Sequence, residues 1–544
     1  PGPRRQPGPT PGLRARGVKV RVSEPGLVSV PLDELRAHGA PREASALQLT
    51  VQGQAVPFRV GRDGRGVESL QFRGEALSTD YSGENVYLVT WDGRRPKPGV
   101  ALTRSGDLPW KGYTRVEKSY AYVPSLLREA DPWQWDILVT GWGTWPYEWW
   151  DPAAGTFDLP VRLPRDGSSV AVALRLVGAS SHTHTVEARI NGLSLGTVTF
   201  EGETSALLTG EIPASLLAPG GNELQLDYSA DVVDPWLDYG MVYFDHIDFG
   251  ASLDTRQARA RWDLAPWDPR ITARRAEYLI VTHGAFSAAA ERIALAKAAE
   301  GLSPAVVDVE RAYDAYSGGV PEAAAVKALI RDFARRGARY VLLVGDDTFD
   351  THDYMGTGAV SFIPSAIAWD GVWGRIPSEN LYADVDDDGQ PDLAIGRLPV
   401  QTAEQADAMA AKIVDQVALV SQSAGRHLMA LDNSAAGDPR FLEEALAVPL
   451  PPGSTVSWAN VGDGVDVARE DLFASLESGA QVTHYFGHGG PDIWADEYLL
   501  GTWDVPALAG TKPTVLFTWA CQSQWYLNLW GPSLNEALLL LSLG

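Results

Sequence analysis

From about residue 274 onward, short apolar runs that end in turns alternate with segments of helical period. AEYLIVTHG (276–284) reads as a strand closed by a turn, and FSAAAERIALAKAAEG (286–301) as a helix with a terminal glycine. AVVDVE is a short strand, EAAAVKALIRDFARRG (322–337) a second helix and YVLLVGDD (340–347) a buried strand. DLAIGRLPV, AEQADAMAAKIVDQVALV, HLMALDN, QVTHYFGHGG and TVLFTWAC carry the same alternation onward. A chain written this way folds as a mostly parallel sheet with crossover helices. In such a sheet the ligand site lies at the carboxyl ends of the strands.

The residues before that point are written in another period. Val18, Val20 and Val22 alternate with polar residues, and LQLTVQGQAVPFRV (47–60) and NVYLVTWDG (85–93) repeat the pattern. Between 126 and about 265, AVALRLVG, HTVEARING, GTVTFEG, NELQLDYS and MVYFDHIDF are short strands bounded by Gly, Asn or Asp turns, the mark of a sandwich or jelly roll. The expected organisation is a flexible Pro/Gly/Arg-rich leader at 1–17, a β-rich domain at 18–125, a jelly-roll-like domain at 126–268 and an α/β domain at 269–544. A first residue that is Pro rather than Met suggests a processed or truncated product.

Composition narrows the partners. Acidic residues number 69 against 45 basic ones, a net charge of −24, so a phosphate backbone is repelled and nucleic acid is not expected as a partner. The apolar content, 45%, is that of a packed globular chain, yet no apolar run approaches the roughly 20 residues that span a bilayer, so no transmembrane segment is expected.

The chain has one cysteine, Cys521, and therefore no internal disulfide. Two buried-looking strands end on polar residues that packing does not require. Gln481 to Gly487 delivers His488, followed by Gly489 and Gly490, and Thr514 to Ala520 delivers Cys521. The separation of 33 positions between His488 and Cys521 allows a strand–helix–strand return, which brings both to the same edge of a parallel sheet. A histidine beside a thiol raises its thiolate content, and glycines let backbone N–H groups approach a reacting carbonyl. The alternative is a buried cysteine and a turn histidine that never meet.

Asp384, Asp386, Asp388 and Asp392 fall in DVDDDGQPD, closely spaced carboxylates around a glycine turn, and this pattern points to structural calcium. The competing reading is a solvated acidic turn. His484 reads as a packed strand residue, and His182 and His184 as part of a surface strand or turn. The tryptophans at 133, 135, 142, 145, 149 and 150 read as aromatic packing, with glycan stacking as the alternative. Asp346 and Asp347 end a strand at the expected active edge and have no assigned role.

A strand ending in His-Gly followed by one ending in Ala-Cys resembles the caspase-like cysteine peptidases, and more closely the gingipain family. YLIVTHGAF (278–286), VERAYDAYSGG (309–319), YVLLVGDD (340–347), PSENLYADVDDDGQPDLAIGRLPV (377–400), THYFGHGGPDIWADEYLL (483–500) and TVLFTWACQSQWYLNLWGPSLNEALLL (514–540) carry the resemblance in the family's order. It implies Cys521 as nucleophile, His488 as general base and acid, and the N–H groups of Gly489 and Cys521 as the oxyanion hole. It also implies Glu379 as the carboxylate that orients the histidine, with Asp388 as acceptor of a basic substrate side chain and Trp494 as a substrate contact. The family often has glycine after the cysteine, where this chain has Gln522-Ser-Gln524. The two β domains resemble those that precede the catalytic domain in exported gingipain-like proteins, including the type IX secretion sortase, which implies a secreted or cell-surface protein. The implied activity is cleavage of protein or peptide substrates through a thioester. The rivals are transpeptidation by the same chemistry, an inactive surface binding protein and a calcium-dependent carbohydrate binder. The family's domain extends further than Gly544, so the resemblance also implies a carboxyl-terminal fragment or second chain that completes it.

Overall fold

A computed structural model of the chain describes residues 16–64, 66–91, 114–128, 130–141, 154–157, 169–218, 221–234, 238–250, 260–272, 275–420, 425–435 and 437–541. The leader expected at 1–17 lies outside these residues except for Arg16 and Gly17, which open the first strand.

The first β domain is a five-stranded antiparallel sheet over a three-stranded one. The large sheet orders its strands 261–266, 16–24, 85–91, 48–51 and 54–55, and the small one 26–31, 68–74 and 59–62. The alternation at Val18, Val20 and Val22 does what its period dictates, since all three are buried against Val28, Val30 and Phe72. Its outer strand comes from far along the sequence: Arg261–Pro266 pairs antiparallel with Arg16–Glu24, from Val18 opposite Pro266 to Glu24 opposite Arg261.

The second β domain has two antiparallel sheets facing each other across a core that includes Leu174, Leu176, Val186, Ile190, Leu226 and Phe244. Both boundaries expected from sequence move. Thr114–Glu117 already pairs with the 239–249 strand, so the second domain begins before 125. The 261–266 strand belongs to the first domain, so the second ends before 268 and is an insertion within the first. Strand periodicity identifies a strand but not its partner, and both errors arise there.

The third domain contains two four-stranded parallel sheets, where a single sheet was expected. One orders 304–308, 278–282, 340–344 and 394–398; the other orders 455–460, 426–431, 482–486 and 515–519. The helix Ala403–Val420 connects them. The expected helices appear as Ser287–Ala299 and Ala323–Ala334. Strands that are buried on both faces explain the near-continuous apolar runs of YLIVT and YVLLV.

A buried cation joins the first and third domains. Lys19 is 2% exposed, and its Nζ lies 2.7 Å from Glu310 and 2.8 Å from Asp314 on the helix Val309–Tyr316. Asp314 also accepts the Asp268 N–H at 2.7 Å. Burial pushes the Asp314 carboxyl up, and Lys19 is the main force that opposes the shift.

Candidate active site

The second parallel sheet brings the two predicted residues to one edge. The histidine strand, Val482–Phe486, and the cysteine strand, Val515–Trp519, are parallel neighbours with Phe486 opposite Trp519. His488 and Cys521 each lie two residues beyond that last pair. Parallel strands are spaced about 4.8 Å apart, so the register delivers both to one edge. Cys521 is exposed and the His488 side chain is 51% exposed.

Gly489 shows how closely the two turns approach. A Cβ there would lie 2.8 Å from the Cys521 carbonyl oxygen and 2.5 Å from Ser523 Oγ. Any other residue would force the turns apart, so glycine at 489 is set by sterics. Its N–H is also placed outside the local hairpin. Ala495 N–H donates to His488 O and Gly490 N–H to Ile493 O, and these two bonds flank the Gly489–Trp494 pair rather than join it.

The turn that carries the histidine is fixed on several sides. Its backbone N–H donates to Asp432 Oδ2 at 2.9 Å, its carbonyl accepts from Tyr485 Oη at 2.5 Å, and Phe441 sets an edge against the imidazole at 5.5 Å. Asp432 follows the neighbouring strand Arg426–Leu431 and is pushed up by burial, against the pull of the His488 and Asn433 N–H groups. The imidazole Nε2 lies 3.3 Å from Asp438 Oδ2. The Ala435 N–H, and then His488, hold the Asp438 carboxyl below its ordinary range.

Glu379 is engaged elsewhere, and the expectation that it orients the histidine is corrected. Its Oε1 accepts from Arg397 Nε at 2.7 Å and from Tyr526 Oη at 2.6 Å. Arg397 is 2% exposed and also donates to the carbonyls of Gly345 and Ile363. A buried guanidinium needs a carboxylate, and Glu379 meets that need. The carboxylate that reaches His488 is Asp438. It sits in a Gly-Asp-Pro turn, so its sequence context reads only as a turn former. Tyr526, five residues past Cys521, ties the post-cysteine segment to the other sheet, and nothing in the sequence marked it.

Trp494 is also corrected. It is 1% exposed and stacks on Tyr485 with centroids 4.3 Å apart and planes 7° from parallel, which leaves no face for a substrate. Gln522 has φ 53°, and Ser523 N–H turns back to Cys521 O at 2.6 Å. The left-handed conformation that glycine adopts at no cost is here imposed on glutamine.

In the acidic loop, Asp384, Asp386 and Asp388 converge, with one carboxylate oxygen from each within 4.8 Å of the others. Asp392 is not one of the converging three, and its Oδ2 accepts the Val385 N–H. The backbone folds the loop inward: Gly389 N–H donates to Asp384 and Gln390 N–H to Asp388. The loop lies just before the strand Ala394–Leu398, and Asp387 pairs with Lys327 and Arg331 of a flanking helix.

Elsewhere, His484 is buried and stacked on Phe517, as a packed strand residue should be. His184 is fully buried, held by Tyr228 and the Ser180 carbonyl rather than lying at a surface, while His182 pairs with Asp231 and Asp238. Trp133 and Trp135 are buried; the tryptophans at 142, 145, 149 and 150 lie outside the described residues.

The site is therefore a cysteine and a histidine on adjacent parallel strands, the layout of a cysteine peptidase. The model of peptidase family C25 matches residues 271–544, and the chain belongs to that family. Dimeric latent PorU from Porphyromonas gingivalis is similar over 73% of this chain and 49% of its own, at 15% identity and a TM-score of 0.44. The Arg-specific cysteine proteinase gingipain R is similar over 50% of this chain and 60% of its own, at 17% identity and a TM-score of 0.37. The chain thus spans about half of the first and three-fifths of the second. No curated protein sequence matches it. Among the described residues, no helix is long and apolar enough to cross a membrane.

Proposed function

We propose that the chain is an exported cysteine endopeptidase acting through a Cys521–His488 dyad. The observation that carries this reading is the register of the two strands, with Gly489 packed against the Cys521 carbonyl. His488 takes the thiol proton as Sγ attacks the peptide carbonyl carbon. The N–H groups of Gly489 and Cys521 hold the oxyanion, and the imidazolium then protonates the leaving amine. Water, deprotonated by the same imidazole, resolves the thioester and restores the thiol. Asp438 occupies Nε2 and leaves Nδ1 for the thiol.

The test is labelling with a thiol-reactive peptidyl probe at neutral pH. The single cysteine makes any adduct unambiguous. Rapid labelling that is lost in His488→Ala supports the dyad. Slow labelling that is equal in both proteins means that the dyad is not assembled in this chain and sinks the reading for it. Product analysis with an added amine separates hydrolase from transpeptidase.

Calcium at Asp384, Asp386 and Asp388 belongs to the same reading. Three converging carboxylates repel one another unless a cation joins them, and an all-oxygen donor set suits a hard ion. Asp388 would then be shared with the metal rather than free to receive a substrate side chain. Addition of calcium should raise the melting temperature of the chain by several degrees, and Asp386→Asn should abolish the rise. A melting temperature indifferent to calcium and chelator rejects the site. A further segment pairing with the cysteine strand, the outermost of its sheet with Trp519 57% exposed, is the partner this reading carries.

A further inference from the structure

Cys521 opens a tight three-residue turn. Ser523 N–H donates back to the Cys521 carbonyl at 2.6 Å, and Gln522 between them has φ 53°. A bond from the third residue to the first across a positive φ makes the rarer, strained form of the γ-turn. Rotating the Cys521–Gln522 peptide by half a turn would release that strain. It would carry Gln522 to negative φ and swing the Cys521 carbonyl to the side that the Gln522 N–H now faces.

Ser523 opposes this rotation. It is 2% exposed, and among the described residues its hydroxyl has one hydrogen-bond partner, the same Cys521 carbonyl, at 3.2 Å. One carbonyl therefore accepts from both the N–H and the Oγ of a single residue. Rotation would break both bonds and leave a buried hydroxyl without its acceptor, which costs free energy.

Ser523 is itself braced. Its carbonyl accepts the Asn535 N–H at 2.9 Å, and the neighbouring Leu534 N–H donates to the Pro491 carbonyl at 2.7 Å. The start of the helix Leu534–Leu540 thus ties the turn after the cysteine to the turn after the histidine. Between the two turns, Ser523 Oγ stands against Gly489, where a Cβ would come within 2.5 Å of it. Ser523 so meets both residues whose N–H groups are proposed for the oxyanion. Among the described residues, no hydrogen bond joins it to the imidazole or the thiol.

We infer that Ser523 is a positioning residue for acyl transfer at Cys521. Its N–H and hydroxyl hold the Cys521–Gln522 peptide against rotation. That keeps the two turns at the spacing at which the Gly489 and Cys521 N–H groups face one reacting carbonyl oxygen. The inference rests on the Cys521–His488 reading and deepens it. Loss of the hydroxyl weakens oxyanion stabilisation and leaves thiol ionisation alone.

The experiment compares two reagents on the full chain. p-Nitrophenyl acetate acylates the thiolate through an oxyanion, and the thioester forms as p-nitrophenolate leaves. Iodoacetamide alkylates the same sulfur by displacing iodide, with no oxyanion. After subtraction of the Cys521→Ala background, Ser523→Ala should slow acylation roughly tenfold or more. It should leave the alkylation rate and its pH dependence unchanged. Glycine takes positive φ without strain, so Gln522→Gly in the Ser523→Ala chain should restore most of the acylation rate. Acylation as fast in Ser523→Ala as in the parent, an equal slowing of both reagents, or no recovery in the double variant would overturn the inference while the dyad stands. A Ser523→Ala chain that melts far below the parent, with the double variant no higher, would overturn it in favour of a packing role. Alkylation with the same pH dependence in His488→Ala as in the parent would instead remove the dyad itself, and the inference with it.

Discussion

At the scale of single residues, one carboxylate holds the imidazole and another holds a buried arginine, and the two roles predict different losses. Asp438→Ala removes the partner of His488 Nε2 in an exposed turn. It should lower the rate of Cys521 labelling by roughly ten- to a hundredfold, as loss of an orienting partner does elsewhere, and leave the melting temperature nearly unchanged. Glu379→Ala strands the Arg397 guanidinium in the interior and should cost about 3–5 kcal/mol of stability; urea denaturation measures it. If Glu379→Ala instead slows labelling while stability holds, the corrected assignment fails and Glu379 acts on the histidine. That Cys521 and His488 fall at one sheet edge was legible in the sequence, because each follows an apolar strand run that does not require a polar residue there. Asp438 was not, because an aspartate before proline in a turn looks the same with or without a histidine beside it. Trp494 misled for the opposite reason, since aromatic residues in a family motif serve packing as readily as recognition.

At the scale of elements, the strand–helix alternation was written plainly enough to place helices within a few residues, as at Ala323–Ala334. It could not divide the domain into two sheets, because a crossover helix reads the same whether it returns to its own sheet or starts another. The strand Tyr340–Val344 delivers Asp346 to a buried position, where its Oδ2 accepts from Gln401 Nε2 at 2.7 Å and burial pushes its carboxyl up to about 7. The unfolded chain releases this proton near pH 4 and the folded chain near 7. Between those values the folded state binds more protons, so stability from this group falls as pH rises from about 4 to 7 and then levels off. Asp346→Asn should therefore raise the melting temperature at pH 8 and lose that advantage by pH 4. A variant less stable than the parent at pH 8 would refute the sign. At the turn after Cys521, a β-branched residue tolerates φ 53° worse than glutamine does. Gln522→Val should cost at least 1 kcal/mol.

At the scale of the whole molecule, a buried lysine ties the first β domain to the peptidase domain, beside the Arg21–Glu310 and Arg375–Asp80 pairs. Lys19→Met leaves Asp314 buried without its cation and should destabilise the chain by about 3–5 kcal/mol. Limited proteolysis should then cut between the first and third domains earlier than in the parent; an unchanged cleavage pattern would mean that other contacts carry the junction. The sequence showed that two β regions precede the α/β region but not that one interrupts the other. Pairing between residues 16–24 and 261–266 depends on edges meeting in space, and no local pattern records it. That pairing also bears on how the chain is made. A chain emerging amino end first presents the strand 16–24 more than two hundred residues before its outer neighbour exists. The inserted sandwich has all its own strands by residue 249 and can close while the first sheet still waits with a bare edge. Biogenesis is thus ordered from the inside outward: the strand 16–24 can pair with 85–91 early, and its other edge waits open until 261–266 is made.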